Sequence, residues 1–567
     1  MAMHEVDQCV LLPDNISFMG SVSSTNKFVQ NDNLIQQCEV EEIKHLFVQD
    51  IVTFQDEVLL FIRSYKGAFL PRKEDYECIF GGTQKTKIHA IGFKEPELIY
   101  VKCLHPKDTI SLHVAQNQLV SLLHTKSQNQ LETMAQYPKR PSWESLVYEA
   151  LVQKGGILLF VQGYHDGQSK GFDLSQMRCV FGNMEVMTWI RMVGHEVVQC
   201  EMPHPSLYKS LIGKKISIKL PKMGLLPSIV YFESSMTMKS RLHENILQYS
   251  NHIMVNPNPS GTIINKQDLN STKKKYFICA CSMIQNQARF LKEWIMYHSY
   301  LGIERWYLYD NNSIDEFEEV LSESLLQFNV THHIWPWRNV EETCMSHCAL
   351  RAQHECEWVM FTHVDEFLYP INYIYGNKRV MYNNYSILER FIKMETERVW
   401  GAKGANHVAE IRLHCFDYGP SGLTQPPEEG VMVGYTCRMK TPKRQKSIVR
   451  VDALSDSLLN VVHHFNIKPK FRTLTLHQNI AVINHYKYQV WDVFKSKLRR
   501  SKMGTYIIID PKVEHIEGVE DLRTGFGIGP IEPLDWPDRF CQLVDFGLHN
   551  FTLHTFQHPH THQLLWQ

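Results

Sequence analysis

The chain has no long apolar run. Nowhere in its 567 residues do apolar residues approach the roughly 18 in succession that a membrane-spanning helix needs. Residues 1–20 lack the basic start and the apolar centre of a signal peptide. The sequence therefore predicts neither a membrane anchor nor a secretion signal within these residues.

An excess of either charge is also missing, since 59 basic residues face 60 acidic ones and the formal net charge is -1. Proteins that bind nucleic acid need surplus cations to displace the counterions of the phosphates. We therefore predict no nucleic-acid partner. A local basic group that includes Lys446 and Arg450 is a candidate for attracting a phosphorylated ligand.

Cysteine is too scarce for a disulfide scaffold, with 14 residues in the chain, but four cysteines follow a repeat. LLFIRSYKG (59–67) matches LLFVQGYHDG (158–167) at an offset of about 100 residues. Each copy continues into a first cysteine, Cys78 or Cys179, and a second, Cys103 or Cys200. We predict the disulfides Cys78–Cys103 and Cys179–Cys200; four reduced cysteines in two β cores are the alternative.

The repeated segments are short, β-prone and interrupted by glycine. We predict a duplicated, sandwich-like β region over residues 41–245, after a poorly defined segment 1–40. Its aromatic residues Tyr65, Tyr164 and Trp189 would stack on sugar rings if the region binds glycans, or would fill its core. Residues 246–275 are rich in Asn, Pro, Ser and Gly and predict a linker.

Strands and helices alternate after the linker. An apolar strand is expected at 276–283, a helix after it, a second strand that ends near Asp310, and a strand-like run WVMFTHVDEF at 358–367. This alternation predicts an α/β domain at 276–548 with a mostly parallel sheet and ligands at the carboxyl ends of its strands. On an extended backbone His363 and Asp365 would face one divalent cation together.

Four segments of this domain carry a resemblance to glycosyltransferase family 92, in particular to plant members that are similar to galactan β-1,4-galactosyltransferases. They are CSMIQNQARFLKEWIMYHSYLGIERWYLYDNNSIDEF, HVDEFLYP, KSIVRVDALSDSLLNVVHHF and INHYKYQVWDVFKSKLRR. The resemblance implies a Rossmann-like GT-A fold and inverting transfer of a hexose, galactose from UDP-galactose, to a cell-wall polysaccharide or glycan. It also implies membrane association and a location in the Golgi lumen, and it leaves a homodimer open.

The resemblance further implies a divalent metal cofactor, Mn²⁺. Asp365 fits the last carboxylate of the family's D-x-D motif, and His363 stands at the first. A histidine nearer the carboxyl terminus is expected as a third ligand. We prefer His485, then His463, with His464 as the remaining candidate.

Candidate residues for binding the nucleotide sugar are Asp310, Arg289, Lys446 and Arg450. Capping of the following segment is the alternative for Asp310. Inverting transfer also needs a carboxylate that takes the proton from the acceptor hydroxyl. We assign this catalytic base to Glu429, ahead of Glu366 and Asp417.

His363 departs from the family pattern, because a neutral imidazole brings no negative charge to a cation. This departure motivates an alternative function, a glycan-binding protein that keeps the transferase fold with weakened or absent catalysis. Residues 549–567 are rich in irregularly spaced histidine, which favours a solvated, mobile tail over a metal site.

Overall fold

The structure, a computed structural model, describes residues 46–54, 56–64, 72–95, 98–106, 119–133, 141–153, 156–163, 174–194, 196–221, 224–234, 236, 274–338, 340–374, 385–458, 460–461, 464–502 and 532–567. The predicted segment 1–40 and most of the predicted linker 246–275 lie outside these residues, as do Tyr65, Tyr164 and His463. The chain divides into two compact units, 1–144 and 145–567.

The first unit contains a sheet with the strand order β6-β3-β4-β5-β2-β1-β7. Its strands are β1 (Leu46–Thr53), β2 (Glu57–Ser64), β3 (Tyr76–Phe80), β4 (Gln84–Glu95), β5 (Leu98–Leu104), β6 (Val120–His124) and β7 (Glu132–Thr133). The predicted Cys78–Cys103 disulfide is confirmed and links β3 to β5 inside a core of aliphatic side chains.

The second unit begins with another sheet, in the order β14-β13-β10-β11-β12-β9-β8. Its strands are β8 (Leu146–Gln153), β9 (Gly156–Gln162), β10 (Arg178–Phe181), β11 (Val186–Val193), β12 (Val197–Cys200), β13 (Ile216–Leu220) and β14 (Gly224–Leu225). The order from β13 to β8 repeats the order from β6 to β1, as expected of a duplication. The Cys179–Cys200 disulfide is confirmed. The sandwich-like arrangement stays a prediction.

The rest of the second unit is an α/β domain whose main sheet has the order β17-β16-β15-β18-β22-β20-β26-β19, with β25 beside β20. Its strands and those of two small ladders are β15 (Tyr276–Ile284), β16 (Arg305–Asp310), β17 (Val330–Ile334), β18 (Cys356–Phe361), β19 (Glu366–Tyr369), β20 (Val408–Asp417), β21 (Cys437–Arg438), β22 (Arg444–Arg450), β23 (Asn460–Val461), β24 (His464–Phe465), β25 (Arg472–Thr475), β26 (Val482–His485) and β27 (Leu543–Val544). The four strands from β17 to β18 are parallel, as predicted, whereas β22 and β19 run antiparallel to their neighbours.

Among the helices of the described residues, one short turn after β12 belongs to the β region and the rest belong to the α/β domain, whose first helix forms where the apolar stripe predicts it. The helices are α1 (Tyr208–Leu211), α2 (Ala288–Leu301), α3 (Phe317–Glu319), α4 (Glu341–Ala352), α5 (Ile371–Ile374), α6 (Ile387–Ala405), α7 (Val431–Gly434), α8 (Trp491–Lys502) and α9 (Gly547–Phe556). In α2 the stripe residues Trp294, Tyr297 and Leu301 are fully buried. Gly302 ends the helix with a φ of 117°, which favours glycine.

The main sheet must roll back on itself. Strands β18 and β19 are separated by β22, β20 and β26, a distance of about 19 Å in a flat sheet. The connection between them, residues 362–365, would reach at most about 17 Å if fully extended. It is shorter than that because Glu366 N donates to His363 O at 3.1 Å and closes a turn. The roll therefore brings β19 over the carboxyl end of β18.

The second β sheet and the α/β domain share an aromatic core. The Tyr148 ring lies 5.0 Å from that of Trp337, and the Phe160 ring lies 6.3 Å from that of Trp335. Trp337 Nε1 donates to Glu149 Oε1 at 3.3 Å. Both tryptophans are fully buried. The β sheet of the second unit is therefore packed as part of the same body as the α/β domain.

The carboxyl-terminal residues differ from the predicted solvated tail. Residues 549–556 belong to α9, in which Phe551 and Phe556 are buried, and Trp566 packs near the end of the chain with 8% of its surface exposed. These apolar side chains outweigh the histidines between them, since their burial removes large surfaces from water. Among the helices of the described ranges, none is long and apolar enough for a bilayer crossing.

Candidate functional site

The HVDEF segment is a turn between two strands rather than the end of one. Strand β18 stops at Phe361, and β19 starts at Glu366. The Glu366 carboxylate explains the break, because its Oε2 accepts from Thr362 Oγ1 at 3.0 Å and from His363 N at 3.1 Å. The prediction of one strand over 358–367 was therefore wrong. The turn nonetheless lies at the carboxyl edge of the parallel strands, where ligands were expected.

Three polar side chains form a row across the rolled part of the sheet. His485 on β26 pairs with Asp417 on β20 and with Glu366 on β19. Its Nδ1 lies 2.9 Å from Asp417 Oδ1, and its Nε2 lies 3.8 Å from Glu366 Oε1 and 3.7 Å from Asp365 Oδ2. We call Asp365, Glu366, Asp417 and His485 the edge cluster.

Two lysines from other elements neutralise the edge cluster. Lys446 on β22 places its Nζ 2.7 Å from Glu366 Oε1. Lys497 on α8 forms an ion pair with Asp365, and its Nζ lies 3.4 Å from Tyr486 O. Both lysines are less than a tenth exposed, so neither pair is weakened by water as surface pairs are.

Burial and charge act in opposite directions on the three carboxyl groups. Burial alone would raise the pKa of each, because it disfavours the charged form. Neighbouring cations outweigh burial. Lys497 and His485 hold the pKa of Asp365 well below its usual range, Lys446 with His363 and His485 lowers the pKa of Glu366 to about 2, and His485 with Lys487 lowers the pKa of Asp417 to about 2. All three groups are therefore anionic at neutral pH.

His363 faces a carboxylate of its own. Its Nε2 lies 2.7 Å from Oε1 of Glu341, in the first turn of α4, and its Nδ1 lies 3.7 Å from Glu366 Oε1. Burial acts to lower the pKa of His363, but Glu366 and Glu341 outweigh it and raise that pKa. Glu341 thus brings to this position the negative charge that His363 lacks.

The edge cluster fits a divalent cation. Glu366 Oε1 and Asp417 Oδ2 are buried without a donor in hydrogen-bond geometry among the described residues, although ammonium groups lie 2.7 Å and 3.6 Å away. We take these contacts as ion pairs that leave coordination capacity on both oxygens. Carboxylate oxygens and an imidazole nitrogen are ligands suited to Mn²⁺. Asp365, Glu366 and His485 would hold the ion.

Asp310 and Arg450 make contacts outside the edge cluster. Asp310 ends β16, and its Oδ1 accepts from Ser313 N at 2.9 Å, so the carboxylate caps the following turn. Its role toward a nucleotide stays a prediction. Arg450 is four residues from Lys446, about 13 Å along the extended strand β22. Its guanidinium carbon lies 4.8 Å from the centre of the Trp358 ring, near the amino end of β18.

The remaining predicted residues, Arg289, Glu429 and His464, lie in three different parts of the α/β domain. Arg289 lies in the first turn of α2 and lines a cavity of about 350 Å³, together with Glu428 and Gln489. Glu429 is exposed on the loop between β20 and α7, and its backbone oxygen accepts from Trp566 Nε1 at 3.0 Å. His464, the alternative to the undescribed His463, has Nδ1 3.0 Å from Glu410 Oε1.

Similarity to known proteins identifies the family. The family model described as glycosyltransferase family 92 matches residues 274–518. A glycosyltransferase family 92 protein from Ricinus communis is 34% identical over 92% of this chain and 87% of that protein. The chain belongs to glycosyltransferase family 92. A family 92 protein from Oryza sativa subsp. japonica is likewise 34% identical, over 92% of this chain and 82% of its own.

Family 92 membership makes the chain a glycosyltransferase, as the resemblance implied. Among solved structures, S. aureus TarS 1–349 in complex with UDP-GlcNAc is 12% identical over 40% of this chain and 65% of that chain, with a TM-score of 0.23. This likeness is too weak to carry a conclusion about the family 92 chain.

Sequence reasoning missed three side chains of the site: Lys497, Glu341 and Cys415. Cys415 is buried on β20 and its sulfur lies within 4.8 Å of ligand atoms of Glu366 and His485. A single cysteine in an apolar strand is typical of a core residue, so its pattern gave no signal. Lys497 lies in the family segment INHYKYQVWDVFKSKLRR, in which nothing singles out one lysine.

Replacing Lys497 by methionine tests the buried pair. The change keeps the aliphatic stem but leaves Asp365 without its closest cation, and breaking a buried pair in this way costs about 3 kcal/mol or more. We expect a lower midpoint in thermal unfolding and partial recovery in the Lys497→Met, Asp365→Asn double variant. Lys495→Met, on the same helix and less buried, is the control. Equal midpoints for the two lysine variants would contradict the pairing.

Proposed function

We propose that this family 92 chain transfers a hexose, galactose from UDP-galactose, to a cell-wall polysaccharide or glycan with inversion at the anomeric carbon, on a GT-A-like α/β domain. The observation that carries the proposal is the edge cluster itself. Two buried carboxylates, Asp365 and Glu366, meet His485 and Lys446 beyond the carboxyl ends of parallel strands. Such an edge is where open α/β sheets bind nucleotides.

The donor's diphosphate needs positive charge, and the edge offers two sources. A divalent cation, Mn²⁺ in our proposal, would supply a Lewis acid that stabilises the charge developing on the leaving UDP. Lys446 and Lys497 carry fixed positive charge at the same place. Because both are buried beside carboxylates, their Nζ groups are held in position before the donor arrives, which favours electrostatic stabilisation.

The catalytic base must accept a proton at neutral pH. Glu366 and Asp417 are poor bases, since each has a pKa lowered to about 2. Glu429 is exposed on the loop that follows β20, the strand that ends at Asp417. We therefore keep Glu429 as the residue that takes the proton of the acceptor hydroxyl.

A second candidate function follows from the ion pairs that His363 and Asp365 already form. His363 is paired with Glu341, and Asp365 is paired with Lys497. If donor and metal fail to displace these partners, the chain would be a glycan-binding protein that retains the transferase fold. Calorimetry separates the two functions, because such a protein would bind oligogalactan yet show no affinity for UDP with Mn²⁺.

The first test is a donor screen. Several UDP-sugars are offered with galacto-oligosaccharide acceptors, with and without Mn²⁺, and UDP release is measured. We expect turnover of UDP-galactose that needs Mn²⁺ and falls by roughly 10²- to 10³-fold in Asp365→Ala, as when a group that stabilises developing charge is lost. Asp456→Ala, with an exposed aspartate, is the control. Full activity of Asp365→Ala in the presence of chelator would refute the metal assignment.

Lys446 and Arg450 form a matched pair on one strand. Because only Lys446 reaches the edge cluster, Lys446→Met should lower kcat/KM for the donor by about 10- to 100-fold, the effect of one charged contact. Arg450→Met, at the far end of β22, should stay within about threefold. Steady-state kinetics measures both, with thermal midpoints to exclude unfolding. A larger loss in Arg450→Met would place the diphosphate elsewhere.

Glu429→Gln tests the base. Loss of a general base lowers kcat by roughly 10²- to 10⁴-fold, while donor KM should change little. The acidic limb of the kcat profile against pH should also flatten, since it reports protonation of the base. Glu428→Gln, the neighbouring exposed residue, serves as control. An unchanged acidic limb in Glu429→Gln would assign the proton transfer to another group.

A further inference from the structure

We propose that Glu366, Cys415 and His485 form a sulfur-containing cation site that selects a thiophilic divalent ion such as Zn²⁺. One ligand atom from each residue lies within 4.8 Å of the other two. The residues come from three strands, β20, β26 and β19, which are hydrogen-bonded neighbours in the sheet. Carboxylate, thiolate and imidazole are the ligand types found in zinc sites.

The thiol is available for coordination. Cys415 is one of the two free cysteines among the described residues, the other being Cys344. It is 2% exposed and precedes Asp417 by two positions on β20, so both side chains lie on the same face of the sheet. The face that presents Cys415 is therefore the face on which Asp417 positions His485.

His485 is oriented as a metal ligand. Its Nδ1 lies 2.9 Å from Asp417 Oδ1, and because a carboxylate only accepts, Nδ1 donates this hydrogen bond and Nε2 faces the other ligands. That atom lies 3.8 Å from Glu366 Oε1, too far for a hydrogen bond. A carboxylate behind a histidine that faces further ligands is the usual supporting arrangement of a metal site. Glu366 Oε1 is fully buried, and Lys446 Nζ lies 2.7 Å from it, so an ion that binds here would share this oxygen with the ammonium group or displace that group.

The sulfur of Cys415 determines which divalent ion the site prefers. Mn²⁺ and Mg²⁺ prefer oxygen ligands, whereas Zn²⁺ forms strong bonds to thiolate and imidazole. Binding replaces the S–H bond of Cys415 by a metal–sulfur bond and releases the proton to solvent. The thiolate brings one further negative charge to the ion, beside the Glu366 carboxylate that already pairs with Lys446.

A Zn²⁺ ion at this site would exclude Mn²⁺ from the edge cluster, because both would use Glu366 and His485. This consequence rests on the proposed function, whereas the sulfur site itself does not. Release of Mn²⁺ is followed by the electron paramagnetic resonance signal of the free ion on addition of Zn²⁺. Release is expected; retention of Mn²⁺ beside bound Zn²⁺ would overturn the exclusion, and absence of Mn²⁺ binding would instead refute the metal in the proposed function.

X-ray absorption at the zinc edge tests the site in the unaltered protein. With one equivalent of Zn²⁺ we expect a sulfur neighbour at about 2.3 Å and nitrogen or oxygen neighbours at about 2.0–2.2 Å. A spectrum with nitrogen and oxygen neighbours alone would overturn the proposal. This measurement needs no variant, so it stands even if substitutions in the buried strand disturb folding.

Cobalt absorption then assigns the sulfur. Co²⁺ bound by thiolate gives sulfur-to-metal charge-transfer absorption in the near ultraviolet, which Cys415→Ser should lose and Cys344→Ser should keep. Asp417→Asn should weaken Zn²⁺ binding by about 10- to 100-fold, as loss of a partner behind a histidine ligand does. Retained absorption in Cys415→Ser, or equal loss in Cys344→Ser, would exclude Cys415 as the ligand.

Discussion

Charge compensation at a buried sheet edge is the constraint on which this molecule depends. Asp365, Glu366 and Asp417 are almost completely buried. Burying an ionised carboxylate without a partner costs several kcal/mol. The compensating lysines come from β22 and α8, so both elements must dock before the edge can exist in its charged form. A cation that binds here therefore replaces a lysine beside a carboxylate, and a diphosphate replaces a carboxylate beside a lysine.

The second β sheet supports the carboxyl end of β16. Trp335, which follows β17, packs against Phe160 and donates its backbone N–H to Asp310 O at 2.8 Å. A side chain of the β region thus supports the loop that ends β16. Because this contact is a close-packed core, the sheet acts as a structural part of the transferase unit rather than as a loosely attached module.

The features that depend on short stretches of sequence were predictable. The stripe of α2, the parallel strands and the positions of Asp365 and His485 follow from periodicity and from family motifs. Lys497 could not be found in this way, since 132 residues separate it from Asp365 and only the docking of α8 joins them. Lys446 and Arg450 could not be distinguished from the sequence, because both belong to one short basic segment. On the extended strand β22 they are about 13 Å apart, and only Lys446 reaches the edge cluster.

The turn at 362–365 has a length that the fold determines. Surface loops usually tolerate inserted residues, because lengthening them adds little closure entropy. This turn instead joins two strands that lie four places apart in the same sheet, and its span determines how far the sheet rolls. An added residue in this turn would displace β19, which carries Glu366 and pairs with β26. An insertion here would therefore shift Glu366 away from His485, whereas a substitution leaves β19 and β26 in register.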